Sequence, residues 1–213
     1  MNLENLLEDG SRELGIELKT GQAAQFLTYL ELIKKWNNKI NLTSIREDKE
    51  IVVKHFLDSL TVSDFINDGS QVIDIGTGAG FPGVPLSIVR ESLKITVLDS
   101  RKKRIFFINE VLRELELRNV ETAAARAEDS NNGVPRNHYD YVLTRAVGDI
   151  EEVLNLSEPY LKSGGKMILM RGKDGMIEME RLNNKNYELL DLRELKVPKS
   201  NFRRVLLIIS QKK

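Results

Sequence analysis

The chain has 213 residues, enough for one sizeable core or one core with a small lobe. Its 32 basic and 32 acidic side chains cancel, so overall charge neither demands nor forbids a nucleic-acid partner, which clustered bases could still hold. The lack of cysteine excludes disulfides, zinc-ribbon sites and thiol nucleophiles, and no apolar run approaches the roughly 20 residues needed to span a bilayer.

The opening MNLENLLEDGSREL lacks the basic start and apolar run of a signal peptide, so the expectation is a cytoplasmic protein with no membrane partner. Leu3, Leu6, Leu7 and Leu14 predict a short helix. Thr20 caps a predicted second helix, in which Ala23, Phe26, Leu27, Leu30, Ile33 and Trp36 follow helical spacing. Asn37 to Ser44 is a polar break. Ile51, Val52, Phe56, Leu60 and Phe65 continue the helical region, and Asn67 to Ser70 signals a turn.

From there strands and helices alternate. The strand candidates are VIDI, ITVLD (Ile95 to Asp99), VETAAAR (from Val120), YDYVLT (from Tyr139) and KMILMR (from Lys166). The helix candidates start at Pro82 and Arg101, with a third over Val153 to Leu161. Such alternation predicts an α/β fold, a parallel sheet covered by helices. The tail, YELLDLRELKV and FRRVLLIIS around a PKSN turn, predicts an antiparallel pair. The expected organisation is a helical N-terminal lobe over 1–66 and a doubly wound domain over 67–213.

VIDIGTGAGFPGVPL places four glycines within eight residues, between a strand and a helix. Gly78, Gly80 and Gly83 match the dinucleotide pattern G-x-G-x-x-G, while Gly76, Gly78 and Gly80 match G-x-G-x-G, typical of S-adenosylmethionine enzymes. The strand ends at Ile75, so a tight turn begins at Gly76. Asp74 beside the loop would repel a pyrophosphate but suits the ammonium and sulfonium of S-adenosylmethionine. Pro82 fits the first turn of a helix, where a missing N–H costs nothing. No Lys-Ser or Lys-Thr follows, which excludes a P-loop. Asp99, ending the second strand, can accept the hydroxyls of a ribose, and Arg126 to Asp129 follow the third strand where an adenine edge would fall.

NLTSIRE (Asn41 to Glu47), HFLDSL (His55 to Leu60), DIGTGAGFPGVPL, LDSRKKRIFF (Leu98 to Phe107), RAE and TRAV (Thr144 to Val147) occur in an order that resembles the RsmG family, also called glucose-inhibited division protein B. The resemblance runs from about Asn37 to Arg171. It implies a Rossmann-like class I methyltransferase sheet that uses S-adenosylmethionine to methylate N7 of a guanine in bacterial 16S ribosomal RNA, free or in the small subunit. It further implies that Gly76, Phe81, Ala127, Glu128 and Arg145 contact the cofactor and that Asp99 is the acid at the ribose. Where the family shows Lys-Gly after the fifth strand, this chain has Arg171, Gly172 and Lys173, a planar guanidinium in place of a point charge.

The implied chemistry needs alignment more than proton transfer, because guanine N7 carries a lone pair and no proton. No general base, triad or metal is expected, and nothing resembles a nucleophile elbow. His55 and Asp58, three apart on a helix, share a face that either bonds across the lobe interface or borders the substrate cleft. The candidate substrate-binding residues are Asn41, His55, Asp58, Arg101, Arg171 and Lys173. Arg145 is a candidate for the cofactor carboxylate, the base or a phosphate. RKKR (Arg101 to Arg104) reads as a solvated helix face or an RNA contact, and Arg203 and Arg204 as flanks of the last strand. Phe81 packs the loop, lines the pocket, or does both, and Tyr29 and Trp36 read as core. The competing functions are an NAD-dependent oxidoreductase in the Gly78 register, a small-molecule methyltransferase, and a non-catalytic cofactor- or RNA-binding module. A monomer is expected.

Overall fold

The computed structural model describes residues 2–145, 148–173, 175, 177 and 186–212. Helix α1 (Leu3–Glu13) starts where the Asn2 side chain accepts the Asn5 N–H at 2.7 Å. Helix α2 (Gln22–Ile40) lacks the expected Thr20 cap: Gly21 occupies the position in the left-handed region at φ 89°. The predicted polar break also starts late. Asn37 stays helical and buried, and its amide closes the following loop by bonding both the N–H and the C=O of Thr43 at 2.9 Å. Beyond it the helical region is four short pieces: α3 (Asp48–Ile51), a π-helical segment (Val52–Leu57), α4 (Asp58–Leu60) and a 3-10 turn (Ser63–Phe65). Periodicity could not show the π segment, because one extra residue per turn hardly changes the apolar pattern.

Seven strands form one sheet: β1 (Gln71–Ile75), β2 (Lys94–Asp99), β3 (Val120–Ala124), β4 (Tyr139–Arg145), β5 (Leu161–Arg171), β6 (Tyr187–Lys196) and β7 (Arg203–Gln211). Their order is β3-β2-β1-β4-β5-β7-β6. The first five run parallel and β7 is antiparallel to β6, as the sequence predicted; β7 also pairs antiparallel with β5, which the sequence did not specify. Helices α5 (Gly83–Val89), α6 (Lys102–Glu114) and α7 (Ile150–Ser157) join the parallel strands. The third predicted helix stops at Ser157, and a 3-10 turn leads into a β5 that starts at Leu161, ahead of the expected Lys166.

Alternation along the strands assigns the faces. Val72, Leu143, Met170, Leu206 and Ile208 join one apolar cluster with α1, α2, α5 and α6; Ile73, Val142, Leu169, Leu207 and Ile209 join another with α7. The N-terminal helices therefore share a core with the sheet. Phe26, Tyr29, Phe56, Phe81 and Phe107 are its aromatic centre, with ring centroids 5.2–6.3 Å apart. Fully burying each such side chain contributes on the order of 2–3 kcal/mol. β6 carries Glu188, Asp191, Arg193 and Glu194 along the exposed edge, which discourages pairing with another chain. Among the described residues no helix is long and apolar enough to cross a membrane.

Gly83 sets how closely α5 lies on the sheet. A Cβ there would sit 2.8 Å from Val97 Cγ1 and 3.0 Å from Asp74 Oδ2. Alanine ordinarily favours a helix over glycine by about 1 kcal/mol, but overpacking costs about 1–3 kcal/mol. Gly83→Ala is therefore expected to destabilise, read as a lower urea midpoint; a raised midpoint would mean that α5 can move outward freely.

Candidate active site

A cavity of about 630 Å³ opens at the C-terminal ends of β1, β2 and β4 and the loop after β3. This is the side of a parallel sheet where ligands bind, at the reversal of strand order beside β1. Its floor is the glycine loop. Gly76, Gly78 and Gly80 all have positive φ, at 72°, 63° and 97°, conformations that suit residues without a Cβ. Gly76, Thr77, Gly78, Ala79 and Phe81 line the cavity. Gly80 does not: a Cβ there would stand 2.5 Å from Tyr29 Oη and 2.8 Å from Val84 Cγ2. It lets the loop rest on Tyr29, whose hydroxyl donates to the Ala79 carbonyl.

The two acids beside the loop have different tasks. Asp74, expected to face the cofactor, is instead fully buried below the loop and does not line the cavity. Its Oδ2 accepts the Thr77 hydroxyl at 2.6 Å and the Gly83 N–H at 2.9 Å, clamping both ends of the turn. Burial pushes its pKa up to about 6. Asp99 does line the cavity. Its Oδ2 accepts Gly78 N–H at 3.0 Å and Arg104 Nη1 at 2.9 Å, while among the described residues Oδ1 accepts only the Arg101 N–H at 2.8 Å. Each carboxylate oxygen has about two acceptor positions, so Oδ1 retains capacity for a hydroxyl.

Opposite the loop, the π segment and β4 build a polar wall. Phe81 stacks on His55 with centroids 4.6 Å apart and planes at 16°, and the Arg145 guanidinium lies 4.9 Å from the same ring. Phe81 thus has both expected roles, since it also packs on Tyr29 and Phe56. His55 Nδ1 lies 3.1 Å from Arg145 Nη2 and Nε2 lies 2.7 Å from Thr43 Oγ1. Arginine only donates, so Nδ1 accepts and Nε2 carries the proton toward Thr43. The ring is neutral: burial, then the Arg145 charge, lowers its pKa to about 3.

Asp58, expected to touch substrate, is fully buried and does not line the cavity. Arg145 Nη1 donates to it at 3.0 Å, and Arg204 donates from Nε at 2.8 Å and Nη2 at 2.6 Å. Buried away from the cavity between two guanidinium groups, Asp58 holds Arg145 in place. Arg204, read from sequence as a strand flank, is buried and shares the sheet face of Leu206 and Ile208. Both faces of RRVLLII are apolar, so parity alone does not distinguish buried Arg204 from exposed Arg203; the buried Asp58 opposite it does.

Arg126, Ala127, Glu128 and Arg101 line the cavity as expected, together with Ser100, Arg104 and Leu156, which the sequence did not single out for it. Glu128 is exposed and pairs with Arg126 at 3.3 Å. Asn41 is exposed beside the cavity, at a second hollow that Arg101 also borders. Arg171 ends β5 but is buried, donating to the Gly148 carbonyl at 2.8 Å, so the substrate role expected of it is corrected to a strand-end anchor. Lys173 is exposed and lies outside the cavity wall. Ala146 and Val147 of TRAV lie outside the described residues.

The strand order with its antiparallel β7, and a glycine loop beside an acid-ended second strand, define a class I methyltransferase fold. A solved S-adenosylmethionine-dependent methyltransferase from Aquifex aeolicus superposes with a TM-score of 0.59 at 18% identity, over 79% of this chain and 96% of that one. The family described as rRNA small subunit methyltransferase G matches residues 22–207. Proteins named ribosomal RNA small subunit methyltransferase G from Alkaliphilus metalliredigens and Acetivibrio thermocellus are 37% and 39% identical, each over 99% of this chain and 91% and 89% of their own lengths. The chain belongs to the rRNA small subunit methyltransferase G family.

Two outcomes are expected from the polar wall. Removing the shared carboxylate with Asp58→Ala leaves two buried guanidinium groups unpaired and should cost about 3–5 kcal/mol in urea unfolding; a loss below about 1 kcal/mol would mean that water reaches the arginines. The second concerns pH. The pKa of His55 is about 3 folded against an ordinary 6.5, so the unfolded chain binds its proton first as pH falls. Its stabilising contribution is complete above pH 6.5 and is lost progressively toward 3. Asp74, raised from 3.8 to about 6, acts oppositely: its folded form binds the proton first, so stability is recovered as pH falls through 6. The His55 displacement is larger, and His55→Gln should therefore show less loss of stability than the parent as pH falls below 6.5. Parallel profiles of the two proteins would show that His55 is not held neutral.

Proposed function

We propose that this protein transfers the methyl group of S-adenosylmethionine to N7 of a guanine in bacterial 16S ribosomal RNA, acting as a monomer in which residues 1–66 and 67–213 together wall the site. Family membership supports the methyltransferase reading and the RNA class. One observation favours a nitrogen that needs no deprotonation: the histidine in the cavity wall has both ring nitrogens hydrogen-bonded and is not free to act as a base. Both ring nitrogens of His55 are engaged, and its pKa of about 3 leaves it a poor proton acceptor. Arg145 beside it is a donor and a cation, never a base.

The residues present fit the cofactor. The glycines of the loop allow close backbone approach, Asp99 Oδ1 has an acceptor position left for a ribose hydroxyl, and Ala127 and Glu128 line the cavity. When bound, S-adenosylmethionine supplies an electrophilic methyl group on a sulfonium. The protein's part is to hold a lone pair in line with it. Arg145, fixed by Asp58, the Lys54 carbonyl and His55, retains N–H groups that can donate to a carboxylate or a base carbonyl. Phe81 backs it with a flat apolar surface and excludes water. Holding reactants at attack distance is worth roughly 7–11 kcal/mol in favourable cases, enough to carry much of such a reaction without acid–base help.

Family membership, rather than the packing role of Gly83, argues against the dinucleotide register.

The test uses tritium-labelled S-adenosylmethionine with small subunits and naked 16S RNA from a strain lacking the gene, and maps the label by base. Label on N7 of a single guanine is expected. Label on another atom would overturn the base-free step, and no transfer to either substrate would overturn the RNA assignment.

A further inference from the structure

A second hollow, of about 340 Å³, adjoins the cofactor cavity and shares Arg101 and Arg104 with it. Its other walls are Lys39, Ile40 and Asn41 at the end of α2, and Lys102 and Lys103 at the start of α6. Among the described residues, Arg104 has a carboxylate partner in Asp99; Lys39, Arg101, Lys102 and Lys103 show none. Elsewhere bases are commonly paired, as with Lys34 to Asp48, Lys54 to Glu50 and Arg203 to Glu194. A chain with equal numbers of acids and bases has thus left a group of cations unneutralised around one concavity. Gathering like charges costs self-repulsion, which an anionic partner relieves.

A second observation lies one turn along α6. Phe106, three and four residues past Lys103 and Lys102, is 64% exposed, the most exposed of the large apolar side chains described. It packs one side on Trp36, with ring centroids 5.8 Å apart, and Lys39 Nζ lies 5.4 Å from the centre of the Trp36 ring. An aromatic ring supported from below and flanked by cations is the pairing that single-stranded nucleic acid uses, a base stacking on the ring and phosphates meeting the cations. The sequence alone left RKKR between a solvated face and an RNA contact; Phe106 and the hollow decide for the contact.

We propose that the Lys39–Lys103 hollow and the Phe106 face bind the single-stranded or looped RNA segment that flanks the target guanine, phosphates in the hollow and a base on Phe106. The inference rests on the RNA reading above. Because Arg101 and Arg104 border both spaces, the bound strand leads directly from this surface to the methyl-transfer cavity.

The test compares the parent with Lys102→Ala/Lys103→Ala and with Phe106→Ala, all surface changes. Measured are S-adenosylmethionine affinity, kcat and KM on small subunits, and binding of naked 16S RNA across a salt series. The expected result is a KM about tenfold higher for each variant, with kcat and cofactor affinity within about twofold of the parent. The double lysine variant should also reduce the salt slope of RNA binding by about 0.7 per lost phosphate contact. If the parent methylates but the variants match it in KM and in salt slope, the surface proposal is overturned and the function stands. A loss seen with whole subunits and not with naked RNA would assign the surface to a ribosomal protein, which also overturns it. No transfer by the parent would instead sink the underlying RNA function.

Discussion

A glycine loop that brings its backbone up to a cavity must be held by groups outside it, and the site depends on how residues 76–80 are held. The three positive-φ glycines give the turn its path but no side chains with which to fix it. Fixation comes from three separate elements. Asp74 at the end of β1 grips Thr77 and Gly83; Asp99 at the end of β2 accepts Gly78 N–H; Tyr29 in α2 bonds the Ala79 carbonyl. The N-terminal helices are therefore part of the loop's support, and the shared apolar cluster is what keeps Tyr29 at its post. Each hydrogen bond contributes about 1 kcal/mol net, small beside the burial that places it, but without them the amides would have no fixed direction.

The polar wall solves a related problem with charge. Arg145 must face a cavity, yet it is nearly buried, with its side chain 12% exposed. Burial lowers its pKa and the Asp58 carboxylate opposes that effect. Arg204 adds a second cation to the same acid, so the trio keeps one net positive charge next to the cavity. Replacing such a group with apolar side chains would often cost nothing in stability. What it supplies here is direction. β7, β4 and α4 each contribute one member, and the guanidinium of Arg145 is left with few orientations.

Much of this was legible because it follows from pattern. The alternation of strands and helices, the antiparallel tail, the turn at Gly76 and the acid ending β2 are all local features. The readings that changed concern where a side chain turns once its residue is placed. Asp74 and Asp99 both end strands beside the loop, and nothing local says that one points beneath it and the other into the cavity. Burial decides: Asp74 shares the sheet face with Val72, under α5. Gly80 belongs to a cofactor pattern yet faces Tyr29, a partner 51 residues away in sequence that no local rule could supply. Arg204 belongs with these, because residues 205–209 are buried on both faces of β7 and parity cannot tell it from exposed Arg203.

Helix α6 shows how one element joins these parts. An α-helix turns about 100° per residue, so thirteen residues can serve several surroundings at once. Arg104 turns back to Asp99 and the cofactor cavity. Phe107, Ile108 and Val111 enter the core, where Phe107 meets Tyr29, the support of the glycine loop. Lys102, Lys103 and Phe106 face out along the basic hollow. A strand of RNA drawn onto the outer face would therefore lie against the same helix that orients Asp99 and braces Tyr29. In the proposed mode of binding, one helix packed on its apolar stripe would set the distance between substrate and cofactor.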